Sequence, residues 1–354
     1  MRIAVGMSGG VDSSVTAALL QREGHEVTGI FMRLGVGSGD GAERRCCSLE
    51  DGRDAERVAR MLGIRFYDLD YRAAFRESVI QGFVEGYLRG ETPNPCATCN
   101  RDVKFGVLLK QALDLGCEAL ATGHYARIVN GAHGPLLARG LDPLKDQSYF
   151  LFPIPRENLG RIRFPLGGLS KKEVRQIAHE LDLPTKKKSE SMDICFVGQN
   201  DYADVLERER PGSLHPGDIL HADGRKLGRH EGQARHTIGQ RRGLGIGGGD
   251  PLFVIGKDVG TNTVTVGPRE ALLTSRLTFR VHAWHSRPSR GTRVGVQIRY
   301  NAPALEAVVD EPGEDGGLAS LTFINPEERT SPGQAAVVYD GDTVLGGGWI
   351  LEGG

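Results

Sequence analysis

Short apolar runs alternate with helical periodicity through the first third of the chain. Arg2–Val5 has the pattern of a buried strand, and a Gly-rich turn separates it from a helix over about Asp12–Glu23. Val15, Ala18 and Leu19 fall on one face of that helix, and Gly24 suits its C-terminal stop. His25–Phe31 predicts a second strand, Leu49–Leu62 a helix, Arg65–Leu69 a third strand and Tyr71–Leu88 a long helix. Val103–Leu115 predicts another helix and Glu118–Thr122 another strand. Strands that alternate with helices imply a parallel sheet covered on both faces. Gly35–Gly41 is locally Gly-rich and reads as a mobile loop.

Lys171–Leu181 predicts an amphipathic helix with Ser170 as N-cap. After about residue 200 the pattern changes. Gly, Pro and basic residues are dense between Pro211 and Pro251, and from Leu277 onward short alternating strands follow: Thr278–Ala283, Val294–Tyr300, Ala319–Phe323 and Ala335–Tyr339. Turn signals between them favour a small all-β barrel or sandwich. The expected fold class is therefore α/β: a doubly wound parallel sheet over residues 1–200, a small central domain over 201–272 and a C-terminal all-β barrel over 273–354.

Composition adds little to this picture but excludes some alternatives. The 354 residues suit two or three domains, and 39% hydrophobic with 25% charged residues is ordinary for a soluble globular chain. Met1–Gly6 runs straight into a strand pattern without the apolar region of a signal peptide, and no apolar run is long enough to span a bilayer. A cytoplasmic protein with no membrane partner is expected. The net charge of −1, from 44 basic and 45 acidic residues, neither announces nor excludes a nucleic-acid partner, because a local basic surface decides binding. In a reducing cytosol the six cysteines are read as catalysis, metal binding or packing rather than disulfides.

Chemistry enters with Gly6-Met7-Ser8-Gly9-Gly10-Val11-Asp12-Ser13-Ser14, between the first strand and the first helix. Such a turn presents backbone N–H groups at a helix N-terminus, where the dipole favours an anion. Gly9 and Gly10 allow close approach to phosphate, the serines add hydroxyl donors, and the Asp12 carboxylate can hold Mg²⁺. The plainer reading is an ordinary strand-to-helix turn with Asp12 as N-cap. No Walker A sequence occurs, and Gly243-x-Gly245-x-x-Gly248 follows no strand and opens no helix, so it is not a dinucleotide fingerprint.

A second signal is Thr92-Pro93-Asn94-Pro95-Cys96-Ala97-Thr98-Cys99-Asn100, a Pro-rich loop that places C-x-x-C just before a predicted helix. A thiol near a helix N-terminus tends to ionise more readily, as a nucleophile or metal ligand must. Half a structural zinc site is the plainer alternative, but no second Cys/His pair at close spacing completes it. The third signal is Ser191-Met192-Asp193-Ile194-Cys195-Phe196. Cys195 alone would read as a buried thiol; beside Cys96 and Cys99 it reads as chemistry. Cys46 and Cys47 could approach the site, though packing or incidental exposure is the default, and Cys117 beside an apolar strand reads as core.

The first motif resembles the S-G-G-x-D-S PP-loop of ATP pyrophosphatases, which cleave ATP between the α and β phosphates. The three motifs in this order resemble the bacterial tRNA-specific 2-thiouridylases, the MnmA family, over essentially the whole chain. Ala121-Thr122-Gly123-His124-Tyr125, Lys145-Asp146-Gln147-Ser148-Tyr149-Phe150, His236–Gly245, Arg299-Tyr300 and Pro332-Gly333-Gln334 extend the match. The resemblance implies that Gly6, Met7, Ser8, Gly9, Gly10, Val11, Asp12 and Ser13, with Met32 and Gly123, bind ATP. It implies that Asn94, Pro95 and Cys96 line a pocket for a flipped-out uridine, and that His124, Lys145, Asp146, Gln147, Arg299, Tyr300 and Gln334 contact tRNA. It further implies that Cys99 is the nucleophile and Cys195 the persulfide carrier.

Some members carry Asp where this chain has Cys96. That departure leaves two sulfur routes open: a persulfide relay, or a [4Fe–4S] cluster on Cys96, Cys99 and Cys195 with one iron open for sulfide. The implied partners are tRNAs for Glu, Gln and Lys and a cysteine desulfurase or relay protein. The implied cofactors are ATP and Mg²⁺. Lys186-Lys187-Lys188 and Arg241-Arg242 suit phosphate contacts, or a solvated charged face.

Overall fold

The computed structural model describes residues 1–35, 48–189, 194–197, 201–247 and 250–351. Most of Gly35–Gly41, with Cys46, Cys47, Ser191, Met192, Asp193 and Gly248, lies outside the described residues. The described chain divides into two compact units, one within 1–79, 96–199 and 342–344, the other within 80–95, 200–341 and 345–354.

In the first unit, β1 (Arg2–Gly6), α1 (Val11–Arg22), β2 (Glu26–Arg33), α2 (Leu49–Leu62) and β3 (Arg65–Asp70) alternate as the pattern required. The bounds of α2 follow from its ends: Ser48 and Asp51 form a reciprocal capping box, and Gly63 closes the helix in the left-handed conformation at φ 66°. The predicted helix 71–88 is α3 (Arg72–Phe75), a π-helical turn Arg76–Ile80 and α4 (Gln81–Leu88), of which α4 belongs to the second unit. The next helix starts earlier than expected, as α5 (Pro95–Thr98), a π-helical segment Cys99–Leu108 and α6 (Leu109–Asp114). Proline at the first helical position explains the early start, since its missing N–H has no partner there in any case.

Then come β4 (Ala119–Thr122), a hairpin of β5 (Ala126–Gly131) and β6 (Gly134–Arg139), α7 (Ser148–Leu151), β7 (Ile162–Arg163) and α8 (Lys171–Glu180). The sheet is parallel in the order β3-β2-β1-β4-β7. Its core gathers Ile3, Val5, Val15, Leu20, Phe31 and Ala121. Helix α1 is buried on nearly every face rather than along the stripe its periodicity suggested, because it packs against the sheet, α2 and α8 together.

The second unit sets α4 against α9 (Tyr202–Glu209), with the Tyr87 and Tyr202 rings stacked 4.7 Å apart. A four-stranded sheet that the sequence pattern missed follows: β8 (Gly217–His221), β9 (Lys226–His230), β10 (Phe253–Asp258) and β11 (Thr263–Gly267), in the order β10-β11-β8-β9. It buries Ile219, Val254, Val264 and Val266. The last part is a closed barrel of β12 (Leu273–Trp284), β13 (Arg293–Gln297), β14 (Leu305–Glu311), β15 (Leu318–Glu328), β16 (Ala335–Asp340) and β17 (Thr343–Ile350). The order β12-β15-β14-β13-β16-β17 closes through pairing of β17 with β12, so the architecture is a barrel and not a sandwich. Strand β13 ends at Gln297, which leaves Tyr300 in an exposed turn and not on the expected strand.

Candidate active site

Strands β1 and β4 are neighbours at the point where the order of the parallel sheet reverses, and loops from their carboxyl ends form the natural cleft of such a sheet. Met7–Gly10 leaves β1, and Gly123 and His124 leave β4.

Gly10, and not Asp12, is the N-cap of α1; it is extended at φ −94° and ψ 171°, and no side chain caps the helix. Ser8 N–H donates to Ser13 Oγ at 3.1 Å, and Ser14 Oγ donates to Gly10 O at 2.8 Å, so the loop is folded back on its own helix. This places the Ser8 and Ser13 hydroxyls beside the positive end of α1, an arrangement that receives phosphate. Gly9 has φ 72°, and a Cβ there would stand 2.2 Å from the Asp51 carbonyl oxygen, so no side chain fits.

At Gly123 a Cβ would lie 2.8 Å from the Asp12 carbonyl carbon and 2.9 Å from Ser13 N. The β4 loop is thus packed against the first turn of α1. Gly123→Ala is expected to lower stability by about 1–3 kcal/mol and, by moving Asp12 and Ser13, to weaken ATP binding at least about tenfold. Thermal melts with ATP titration check both, and wild-type ATP affinity would contradict the close-packing argument.

The Asp12 carboxylate accepts from Lys171 Nζ at 2.7 and 2.8 Å and from Tyr125 Oη at 2.9 Å. Neither partner was singled out from the sequence. Lys171 opens α8 beside the Ser170–Glu173 capping box, and its backbone N–H donates to Asp142 at 2.9 Å. Tyr125 is fixed in turn by Gln147, whose Oε1 accepts from Tyr125 N–H at 3.0 Å and whose N–H donates to Tyr125 O at 2.9 Å. Asp146 is buried and accepts from Arg139, Gly140 N–H and both the N–H and hydroxyl of Ser148. Asp146 and Gln147 therefore bond within the loop behind Asp12; Asp146 is buried, and Gln147 and Lys145 are half-buried.

The donor set suits magnesium with a nucleotide. The first turn of α1 carries the Asp12 carboxylate, and Ser8 and Ser13 supply two hydroxyls at the same helix end; a hard cation that keeps water and phosphate oxygens needs little more from the protein. The bound Lys171 ammonium marks the same spot as one that favours positive charge.

His124 donates or accepts at both ring nitrogens: Nδ1 lies 2.8 Å from Thr122 Oγ1 and Nε2 3.3 Å from Lys104 Nζ. Burial, with the Lys104 ammonium second, pushes its pKa well below the usual imidazole value. A neutral ring that accepts at Nε2 and donates from Nδ1 follows. Its expected role as an RNA contact therefore competes with two internal bonds. Met32 lies on β2, two residues beyond Ile30, whose carbonyl accepts from Met7 N–H at 2.8 Å.

Lys188, one of the three lysines that suited phosphate contacts or a solvated face, donates to Asp51 at 2.6 Å and Asp54 at 2.7 Å. Burial opposes its charge, yet these two carboxylates outweigh that and raise its pKa. Lys186 pairs with Asp182. Of the three lysines only Lys187 lies fully at the surface.

The cysteines sit differently from expectation. Cys96 lies inside the first turn of its helix rather than ahead of it, and Cys99 begins the π-helical segment. Such widened turns recur at functional sites. Cys99 is buried and Cys96 and Cys195 are half-buried. The Cys195 segment is held by Phe196, whose ring meets Phe75 edge-on at 6.0 Å, and α3, which carries Phe75, packs on the Cys99 segment. Among the described residues no three His, Cys, Asp or Glu side chains gather where they could hold a metal ion.

In the second unit Asn94 is buried, Arg299 donates to the Arg329 carbonyl at 3.1 Å, and the Gln334 amide donates to the Thr92 carbonyl at 2.7 Å.

Three family models match in tandem: a tRNA methyl transferase HUP domain at residues 1–199, a tRNA methyl transferase PRC-barrel domain at 203–268 and an Aminomethyltransferase beta-barrel domain at 274–350. The chain is 49% identical over 361 residues to the tRNA-specific 2-thiouridylase MnmA of Rhodospirillum centenum, covering 99% of this chain and 92% of that one. It is 50% identical over 362 residues to the protein of that name in Rhodospirillum rubrum, covering 99% and 96%. With the one in Geobacter metallireducens identity is 49% over 356 residues, again covering 99% and 96%. With a PP-loop at the sheet reversal, a closed C-terminal barrel and this identity along its whole length, the chain belongs to the MnmA family of tRNA-specific 2-thiouridylases.

Proposed function

We propose that the chain is an ATP-dependent tRNA uridine 2-sulfurtransferase that converts the wobble uridine of the anticodon to 2-thiouridine. The observation that carries the reading is the uncapped helix N-terminus beside Asp12, in the same unit as the Cys99 helix and the Cys195 segment. ATP and Mg²⁺ are the cofactors that the family implies. Residues 1–200 serve catalysis, and 201–272 and 273–354 serve tRNA binding, with acceptors for Glu, Gln and Lys as substrates.

The α1 amides and the Ser8 and Ser13 hydroxyls orient the triphosphate, and Asp12 would hold the cation. Bound magnesium would neutralise phosphate charge as it develops. The uridine, flipped out of its loop, presents O2 to the α-phosphate. O2 bonds to phosphorus, pyrophosphate leaves, and the poor oxygen leaving group becomes AMP. A persulfide on Cys195, loaded by a cysteine desulfurase or relay protein, attacks C2 through its outer sulfur, and AMP departs with the oxygen. The Cys99 thiolate then attacks Cys195 Sγ; the Sγ–S bond breaks, its electron pair stays with the new thiocarbonyl sulfur, and a Cys99–Cys195 disulfide remains. An external dithiol reduces that disulfide for the next turnover.

The test is anaerobic. Protein, ATP, Mg²⁺ and unmodified tRNA are supplied either with inorganic sulfide alone or with a cysteine desulfurase relay, and the nucleosides are analysed. Product only with the relay is expected. Product from sulfide that disappears on iron chelation would replace the persulfide with a [4Fe–4S] cluster on Cys96, Cys99 and Cys195. ATP turnover without any need for RNA would overturn the function itself, as would RNA binding with no turnover. Among the described residues no helix is long and apolar enough to cross a membrane.

A further inference from the structure

The segment that leads into Cys96 and Cys99 is unusual in how few main-chain handles it offers. Pro93 and Pro95 have no N–H to donate, so Thr92 and Asn94 carry the amides of this strap. Both main-chain groups of Thr92 are taken by one turn of the barrel. Thr92 N–H donates to the Pro332 carbonyl at 2.7 Å, and the Thr92 carbonyl accepts from Gln334 Nε2 at 2.7 Å. Between them sits Gly333 at φ 84°, where a Cβ would stand 3.0 Å from Glu91 Cβ and 3.3 Å from Thr92 N. Only glycine allows this approach.

The turn is itself anchored on two further sides. Gly333 N–H donates to the Ile350 carbonyl at 2.9 Å, and Ile350 N–H donates to the Gln334 carbonyl at 2.8 Å, which ties the turn to β17. The fully buried Ser331 accepts at its hydroxyl from Ile238 N–H at 3.0 Å, which ties it to the Thr237–Gly239 loop of the central sheet. All of these residues belong to the second unit.

We propose that Ser331–Gln334 is a clasp that sets the position of the Thr92–Pro95 strap, and that Gln334 is a positioning residue for the sulfur chemistry rather than an RNA contact. Resting on the sulfurtransferase reading, the inference adds that barrel and central sheet together hold the strap that runs up to Pro95, the first residue of the cysteine helix. Among the described residues Thr92 has no other main-chain bond of this kind to fall back on. Loss of the Gln334 donor leaves the carbonyl unpaired and lets the helix start drift. Displacements of about an ångström at a reacting group cost on the order of a hundredfold in rate.

The experiment compares Gln334→Ala and Gln334→Glu with the wild-type full-length protein. Glu keeps the size of Gln but has no N–H to donate, so it guards against mere cavity effects. Two readouts are taken: steady-state thiolation against tRNA concentration, and the rate at which iodoacetamide alkylates Cys96 with no RNA present, followed by peptide mass spectrometry. Both variants are expected to lose roughly tenfold to a hundredfold in kcat, with KM for tRNA within about twofold, and to alkylate faster than wild type. Unchanged alkylation in both variants overturns the clasp whatever the kinetics do, and a raised KM with wild-type kcat would return Gln334 to the RNA-binding surface. If the wild type makes no thiouridine at all, the sulfurtransferase reading fails, and the alkylation rates alone then decide the clasp.

Discussion

Cys195→Ser is expected to bind ATP as tightly as wild type and to form no 2-thiouridine, a loss of at least about a thousandfold. Cys99→Ser should fail at a different step. Its Cys195 persulfide can still attack C2, but no thiolate then splits the Sγ–S bond, so RNA remains attached to Cys195. A protein–RNA adduct on a non-reducing gel that a dithiol releases is the expected signature of Cys99→Ser, and Cys195→Ser should show none. The asymmetry distinguishes the carrier from the resolving thiol. Equal adducts in both variants, or thiolation by Cys195→Ser, would reverse or remove these roles. Cys99 is buried at the start of a widened helix, and Cys195 is half-buried.

The second large effect is expected at Lys171. Its ammonium meets both oxygens of Asp12, and its side chain is only 12% exposed. Lys171→Met leaves that carboxylate with Tyr125 as its one partner among the described residues and is expected to lower kcat/KM for ATP by about 10²–10³, while stability falls by no more than about 1 kcal/mol, since Asp12 is partly solvated. Pyrophosphate release and thermal melts measure the two. If Lys171 acts by holding Asp12, the double variant with Asp12→Asn should be no worse than Asp12→Asn alone. Additive losses would instead give Lys171 a separate contact with the nucleotide.

Much of the catalytic unit was legible because its local signals agree with its fold. The strand–turn–helix at Gly6–Ser14 located the phosphate loop, and the periodicity of Leu49–Leu62 gave the bounds at which α2 is found. What could not be read was pairing across the chain. Asp12 and Lys171 are 159 positions apart, and no spacing rule joins them. Lys188 looked like one of three surface lysines until Asp51 and Asp54 came within reach. The start of the cysteine helix was misplaced because the prolines read as loop, although Pro95 suits a first helical position. The central sheet was hidden by dense Gly and Pro around its short strands, and Gly243 and Gly245 serve left-handed turns at φ 75° and 66°.

The closed barrel has a consequence for how this chain can vary in length. In an open sheet, a residue gained or lost in an outer strand slides that strand along one neighbour and frays at the free side. In a ring, each strand has two neighbours, and a slip at one pairing must be matched all the way round to the β12–β17 seam. The extra residue can only be parked as a local bulge, and β12 already holds such irregularities against both β15 and β17. Insertions and deletions in residues 273–350 are therefore confined to the connecting loops, whereas the four-stranded central sheet, with β10 and β9 at its margins, can absorb them within its outer strands.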